Sequence, residues 1–329
     1  MTNGRIAYLD MLRGLAAVAV MLHHYGERIG WHNVGNMGVP VFFVLSGYVI
    51  AMSVGSRPPR SWSFLGRFAL KRSIRLDPPY WLSIAGVLVL GYIGAQFGIR
   101  HEPAGLGQVA AHLFYLQGIL NYPQIQAVYW TLCYEIQFYL ALILLLWVAR
   151  GMFGFILLAT LAVSIADRFL DITNDAVMLR HWFCFALGAI TRYASSWRLP
   201  QRYFLAALLL VTGYGFTALD GYAITAGLTA LLIYAVVALN RESFGSWAPL
   251  QFLGRISYSL YLTHLIGGWL VLSMALRYMP GWLAMLLASA VAIVSAWVFY
   301  LFAEAPAVRW SRLFHLQRSP NTAAEATPA

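Results

Sequence analysis

The stretch Tyr8-Leu9-Asp10-Met11-Leu12-Arg13-Gly14-Leu15-Ala16-Ala17-Val18-Ala19-Val20-Met21-Leu22-His23-His24-Tyr25-Gly26 decides how the chain is read. Its body is Leu, Ala, Val and Met, and at 1.5 Å per residue it approaches the ~30 Å needed to cross a bilayer. Arg5 and the triplet Ala17-Val18-Ala19 imitate a secretory leader and its cleavage site. Asp10 and Arg13 interrupt the run, however, and further apolar blocks follow, so the stretch reads as an uncleaved first membrane helix. Ionisable side chains inside a span are costly and mark function by default.

The rest of the chain extends that reading. Its 329 residues are 60% hydrophobic and 10% charged, against about 25% charged in soluble domains, and the mean hydropathy is +0.67. Apolar blocks fall at about 8–26, 38–55, 79–98, 128–149, 153–167, 179–195, 203–219, 222–239, 253–275 and 282–303. They predict an all-α, polytopic transmembrane helix bundle of about ten spans. Residues 1–310 would form one transmembrane domain and 311–329 a cytoplasmic, disordered tail. Residues 56–76 read as a basic amphipathic stretch on the membrane surface. Residues 106–120 read as an interfacial or re-entrant helix. No internal repeat of the kind that builds many transporters is visible.

The net charge of +10 has its explanation in the loops. With the N-terminus inside and ten spans, sixteen Lys and Arg fall on the cytoplasmic side, among them Arg57, Arg60, Arg67, Lys71, Arg72 and Arg75, and Arg309, Arg312 and Arg318 near the end. Arg28, Arg100, Arg168, Arg180 and Arg277 fall outside, and Arg13 lies within the first helix. That asymmetry predicts cytoplasmic N- and C-termini. No groove-reading motif accompanies the charge, so nucleic acid is not an expected partner. Cys133 and Cys184 have no CxxC spacing, and no disulfide, redox or metal site is expected from them.

Four constellations carry chemistry. Arg13 and His24 are eleven residues apart, which is ~1,100° of helix, so they share one face about 16 Å apart along the axis. Asp10 stands one turn before Arg13 and can pair with it; His23 points about 100° away. The plainer alternative is an arginine snorkelling to headgroups and a histidine bonded within the bundle. Arg72 and Arg75 share a face just before the third span and suit phosphate groups, although inside loops collect such cations anyway. Glu135, in Trp130-Thr131-Leu132-Cys133-Tyr134-Glu135-Ile136-Gln137-Phe138-Tyr139, sits about seven residues into a span that enters from outside. At similar depth to His24, it would orient that imidazole as a base; the alternative is a structural pairing with an intramembrane arginine. Tyr261 and His264 lie at i, i+3 in mid-span, where polar glue between helices is the competing reading. Glu304-Ala305-Pro306 predicts the end of the last span.

Together these motifs resemble the acyltransferase 3 family of membrane-bound acyltransferases. The resemblance rests on Leu9-Asp10-Met11-Leu12-Arg13-Gly14 with its spacing to His24, Phe42-Phe43-Val44-Leu45-Ser46-Gly47-Tyr48, Arg72-x-x-Arg75, Trp130-Thr131-Leu132 with Glu135 and Phe138-Tyr139, Ser257-Tyr258 through His264, and Glu304-x-Pro306. It covers about residues 5–310. It implies ten helices with both termini cytoplasmic, in a bacterial inner membrane, and an O-acyltransferase that moves an acyl group, often acetyl, from acyl-CoA to a hydroxyl of a carbohydrate, polysaccharide or glycolipid. Acetyl-CoA would be a donor substrate, with no cofactor bound permanently. His24 would be catalytic with Glu135 beside it. Arg13, Arg72 and Arg75 would bind acyl-CoA, supported by Asp10, Ser46, Trp130, Tyr139, Tyr261 and His264. Two departures stand out. Thr131 replaces the serine common in the family, and no SGNH-type hydrolase domain follows. The chain is therefore expected to deliver the acyl group itself or to hand it to a separate extracytoplasmic acyltransferase partner. A transporter or flippase for a lipid-linked glycan, or an assembly subunit without activity, is the rival reading and needs no thioester.

Overall fold

A computed structural model describes residues 6–31, 37–55, 61–96, 103–148, 152–196 and 198–313. Every apolar block is helical, and no strand occurs among the described residues. In order these are α1 (Ala7–Arg28), α2 (Gly38–Val54), α3 (Trp62–Gln96), α4 (Leu106–Leu113), α5 (Trp130–Val148), α6 (Phe153–Leu170) and α7 (Leu179–Ser195). Then come α8 (Gln201–Thr217), α9 (Gly221–Ala238), α10 (Ala248–Thr263), α11 (Gly267–Ala275), α12 (Gly281–Phe299), a π-helical turn (Tyr300–Glu304) and α13 (Ala305–Leu313). The expected tail beyond 313, and Arg5, Arg57, Arg60, Arg100, Arg150 and Arg318 of the charge count, lie outside the described residues.

Length and apolarity qualify fewer helices as spans than there are apolar blocks. α3, α6, α9 and the α12–α13 rod are long and apolar enough to cross a membrane, and the bent pair α10 and α11 would make a fifth. The others fall short for physical reasons. α1 is diluted by Asp10, Arg13, His23, His24, Glu27 and Arg28, while α2 and α8 have only 17 residues each.

Three local expectations change. From Trp62 the basic stretch continues without a break into the third block, as the first half of α3, a 35-residue helix that runs through Pro78 and Pro79. The two prolines lack the N–H groups that would bond the carbonyls of Ile74 and Arg75. One residue on, the Leu76 carbonyl accepts a hydrogen bond from the Tyr258 hydroxyl at 3.0 Å. Pro306 does not end the last helix either. The chain widens into a π turn at 300–304 and resumes as α13, which absorbs the missing N–H. Finally, α10 ends at Thr263 and meets α11 at 72°, so His264 occupies a break in the helix rather than a regular turn.

The bundle is assembled by small residues. α1 and α10 touch backbone to backbone: a Cβ on Gly14 would strike Gly254 and Leu253, and one on Gly254 would strike the Asp10 carbonyl. α2 and α7 do the same, with Gly47 against the Phe185 carbonyl and Gly188 against that of Val44. α12 offers Ala284, Ala288, Ala292 and Ala296, all fully buried at four-residue spacing. Apolar side chains gain nothing by leaving lipid, so close approach of this kind is the main glue between membrane helices. Aromatic stacking fills the adjoining core, with Phe185 between Phe43 (4.4 Å) and Phe138 (4.5 Å).

The loops are pinned by ions and caps. Arg180 reaches Asp167, Asp171 and Asp175. Arg168 pairs with Asp220, which also caps α9 by accepting the Ala223 N–H at 3.1 Å. In the short α4, burial pushes the pKa of His112 down. Its Nδ1 donates to the Gln108 carbonyl (2.8 Å) and its Nε2 accepts the Ile125 N–H (3.1 Å), so the neutral ring is fully satisfied.

The packing argument predicts that Gly254→Leu destabilises the folded protein by about 3 kcal/mol or more through overpacking. Gly213→Ala, whose Cβ meets nothing within 4 Å, should cost nothing. Melting of the two purified variants in detergent is the check.

Candidate active site

The polar residues of α1, α3, α5, α10 and the π turn converge on two adjoining cavities that share Arg13, Val49, Arg72 and Arg75 in their walls. The larger has a volume of about 450 Å³, within the range of small-molecule sites. Its wall carries six cations, Arg13, Lys71, Arg72, Arg75, Arg255 and Arg312, against two acids, Asp10 and Glu304. The wall therefore carries a strong excess of positive charge, which favours anions. The smaller, about 90 Å³, is lined chiefly by apolar and aromatic side chains, including Phe42, Phe43, Leu132, Tyr139, Tyr258 and Tyr261, with Ser46, Thr131 and Glu135 among them. Wide and basic passes into narrow and apolar at the three arginines.

Each group at that neck is held. Arg72 donates to Ser53 Oγ at 3.0 Å and lies over the rings of Phe68 (5.6 Å) and Tyr139 (5.5 Å), a cation–π arrangement that keeps the guanidinium extended. Glu135 accepts from Ser46 Oγ at 2.8 Å and from the Tyr139 hydroxyl. Glu304, 6% exposed, accepts the backbone N–H of Ser259 at 3.1 Å and its hydroxyl at 2.6 Å. The π turn thus carries the carboxylate that α10 meets at Ser259.

Beyond the neck, Tyr261 closes the narrow cavity. Its hydroxyl bonds Thr131 Oγ1 at 2.6 Å and the Val128 carbonyl at 3.0 Å. Its ring lies 5.6 Å from Phe42 and 6.4 Å from His264. His264 in turn stacks on His24, with centroids 5.4 Å apart and planes at 27°. His23 leans the other way, to Glu27 at 3.4 Å.

Of the residues singled out from sequence, Asp10, Arg13, Ser46, Arg72, Arg75, Glu135, Tyr139 and Tyr261 line the two cavities. His24 and His264 form a pair behind Tyr261, outside both linings. Trp130 packs behind the narrow cavity against Phe43 (6.3 Å) and Tyr134 (5.3 Å). The expected partnership of His24 with Glu135 does not form. α2 lies between α1 and α5 and its Ser46 takes the carboxylate, so equal depth did not mean adjacency. The partner of His24 is His264. Ser259 and Tyr258 lie in a motif that carries the resemblance, but spacing gives them no role, and the inward place of Glu304 has only one signal in sequence, an acid at the end of an apolar block.

With this geometry in view, the comparisons with known proteins are decisive. The family model described as "Acyltransferase domain" (acyltransferase 3) matches residues 6–301. The chain belongs to the acyltransferase 3 family. Among the relatives of this acyltransferase is "Putative membrane-bound transacylase BcsY" of Komagataeibacter xylinus, 31% identical over 78% of this chain and 71% of the relative. "Exopolysaccharide production protein ExoZ" of Rhizobium meliloti is 30% identical over 74% of this chain and 80% of the relative. "Putative peptidoglycan O-acetyltransferase YrhL" of Bacillus subtilis is 27% identical over 78% of this chain but 47% of the relative. No solved structure matches. Family and apolar helices together make this an integral membrane acyltransferase.

Glu304→Ala leaves the Ser259 N–H and hydroxyl without their acceptor, a loss of about 1.5–3 kcal/mol for bonds to a charged group. It also removes an acid from a wall of cations. Both the melting temperature and acyl transfer should fall, and Glu304→Gln, which still accepts hydrogen bonds, should recover the melting temperature in the same assay more than the activity.

Proposed function

We propose that this acyltransferase is a ten-helix bacterial inner-membrane enzyme with cytoplasmic termini, in which 1–310 is the catalytic domain. It moves an acetyl or similar acyl group from cytoplasmic acyl-CoA to a hydroxyl of a carbohydrate or polysaccharide. The observation that carries this reading is the passage from a six-cation cavity through Arg13, Arg72 and Arg75 into a narrow apolar channel. Coenzyme A has that polarity: phosphates at one end, a thin pantetheine arm, and a thioester at the tip. The phosphates would rest on Arg72, Arg75 and the cations at the rim. The arm would pass Arg13, and the ~16 Å between Arg13 and His24 along α1 matches the reach of the extended arm. The names of the relatives, an exopolysaccharide production protein and a peptidoglycan O-acetyltransferase, support a polysaccharide acceptor and acetyl as the group moved. The basic side chains near Lys71, Arg255 and Arg312 support a cytoplasmic mouth.

In this reaction His24 either takes the proton of the acceptor hydroxyl or takes the acyl group itself as a transient acyl-imidazole. Glu135, bonded to Ser46 and Tyr139 in the arginine-lined cavity, balances the cations and holds the channel open to the arm. Ser46, Trp130, Tyr139 and Tyr261 shape the channel.

Purified protein in lipid nanodiscs, given radiolabelled acetyl-CoA, should transfer label to glycan. A protein that moves glycan without consuming acetyl-CoA would instead be a flippase. Arg75→Gln should raise the acetyl-CoA KM about 10- to 100-fold with a smaller effect on kcat, the loss of one charged phosphate contact. His24→Ala should lower kcat by 100-fold or more with KM little changed. Label retained on the protein without acceptor, and absent in His24→Ala, would select the acyl-imidazole route.

A further inference from the structure

His264 and His112 make an instructive pair. Each holds its Nδ1 against the carbonyl four residues back, His112 on Gln108 at 2.8 Å and His264 on Leu260 at 2.9 Å. A carbonyl oxygen only accepts, so Nδ1 carries the proton in both rings and Nε2 is left as a lone pair. In His112 that lone pair is used, since it accepts the Ile125 N–H. In His264 it is not. The ring is fully buried and its Nε2 has no hydrogen-bond partner among the described residues, although buried polar atoms are nearly always bonded. The ring that carries this lone pair is stacked on His24.

The setting holds His264 rigidly. It lies at the α10–α11 break, its carbonyl accepts the Tyr25 hydroxyl at 2.6 Å, and Gly268 lies so close to that hydroxyl that a Cβ would collide with it. His24 is only half-buried, and histidine χ2 is a soft torsion. The partly exposed ring can turn, and the buried one cannot.

We propose that His264 is a positioning residue for acyl transfer, its Nε2 serving as the hydrogen-bond acceptor for the ring N–H of His24. The inference rests on the reaction proposed above and deepens it. A turn of the His24 ring from the stacked position gives its far N–H to His264 Nε2. That bond fixes the His24 tautomer, so that the opposite nitrogen presents a lone pair to the acceptor hydroxyl. As the hydroxyl oxygen bonds to the acyl carbon and the thioester C–S bond breaks, the hydroxyl proton passes to His24. The departing coenzyme A thiolate then takes that proton from His24. A carboxylate does this orienting work in many acyl-transfer sites; here Glu135 is engaged elsewhere and a tautomer-locked imidazole stands in its place. Full burial keeps His264 itself off the substrate, so it acts only through its neighbour.

The test uses the full chain in inside-out membrane vesicles, with radiolabelled acetyl-CoA as donor and label in the glycan fraction as readout. His264→Phe keeps the ring packing without a nitrogen. His264→Gln keeps a strong acceptor, and His264→Met keeps the length with only a weakly accepting sulfur. His264→Phe should lower the maximal rate per folded protein at least 30-fold with the acetyl-CoA KM within about threefold of wild type. His264→Gln should exceed His264→Met in rate by tenfold or more at equal melting temperature. If Phe does not fold, the Gln-to-Met comparison decides. A wild-type rate in His264→Phe, or equal rates for Gln and Met, would overturn the inference. His24→Ala is run alongside: activity there would sink the proposed reaction too, whereas an inactive His24→Ala with a normal His264→Phe sinks this inference alone.

Discussion

The close approach of α1 and α10 at Gly14 and Gly254 is the contact on which the rest of the site depends. Gly14 faces Gly254, and His24 faces His264. Both pairs are separated by 240 positions, so the two helices run parallel and stay in register over ten residues, about 15 Å. One glycine contact at one end therefore determines what meets at the other. It also brings Ser259 within reach of Glu304 and leaves Arg13 facing the cavities. A Cβ on Gly14 would lie 2.7 Å from the Gly254 nitrogen and one on Gly254 would collide with the Asp10 carbonyl oxygen, so a side chain at either glycine pushes the helices apart and disturbs the histidine stack and the carboxylate wall together.

The second constraint is charge. Six cations around one cavity repel one another, and the low dielectric near a membrane strengthens that repulsion. The protein answers only in part, with Asp10 and Glu304 in the same wall, Glu135 in the adjoining cavity and aromatic faces under Arg72. An excess of positive charge held apart by cation–π contacts and short hydrogen bonds is poorly balanced alone and well balanced around a polyanion. The backbone irregularities cluster here too. The double proline lies one turn after Arg75, the Leu76 carbonyl is bonded to Tyr258, and the π turn presents Glu304. Regular helices would bury these groups against their own backbone.

Much of this was legible in sequence because it is one-dimensional. The ten apolar blocks, the shared face of Arg13 and His24, and the Arg72–Arg75 pair all follow from spacing along a single helix. What spacing cannot say is which helices are neighbours. Glu135 was matched to His24 by depth, yet α2 stands between their helices and Ser46 holds the carboxylate. The break after Thr263, which sets the place of His264, is invisible in an apolar block. Glu304 was read as a stop because proline rules describe an α-helix, and the chain chose a π turn. The cations before the third span hide that from Trp62 they belong to one continuous helix.

The histidines show how far structure can separate roles that composition cannot. His23, His24, His112 and His264 all lie in or beside apolar segments. His23 sits against Glu27 at a half-exposed helix end. His112 has both nitrogens satisfied by backbone, which is what a structural histidine requires. His264 has one nitrogen satisfied in the same way and the other left bare in a fully buried ring. A bare buried lone pair lowers stability. The lone pair of His264 lies in a ring stacked on His24, at a break that Tyr25 and Gly268 hold in place. The ring that can use it is the one that stacks on it.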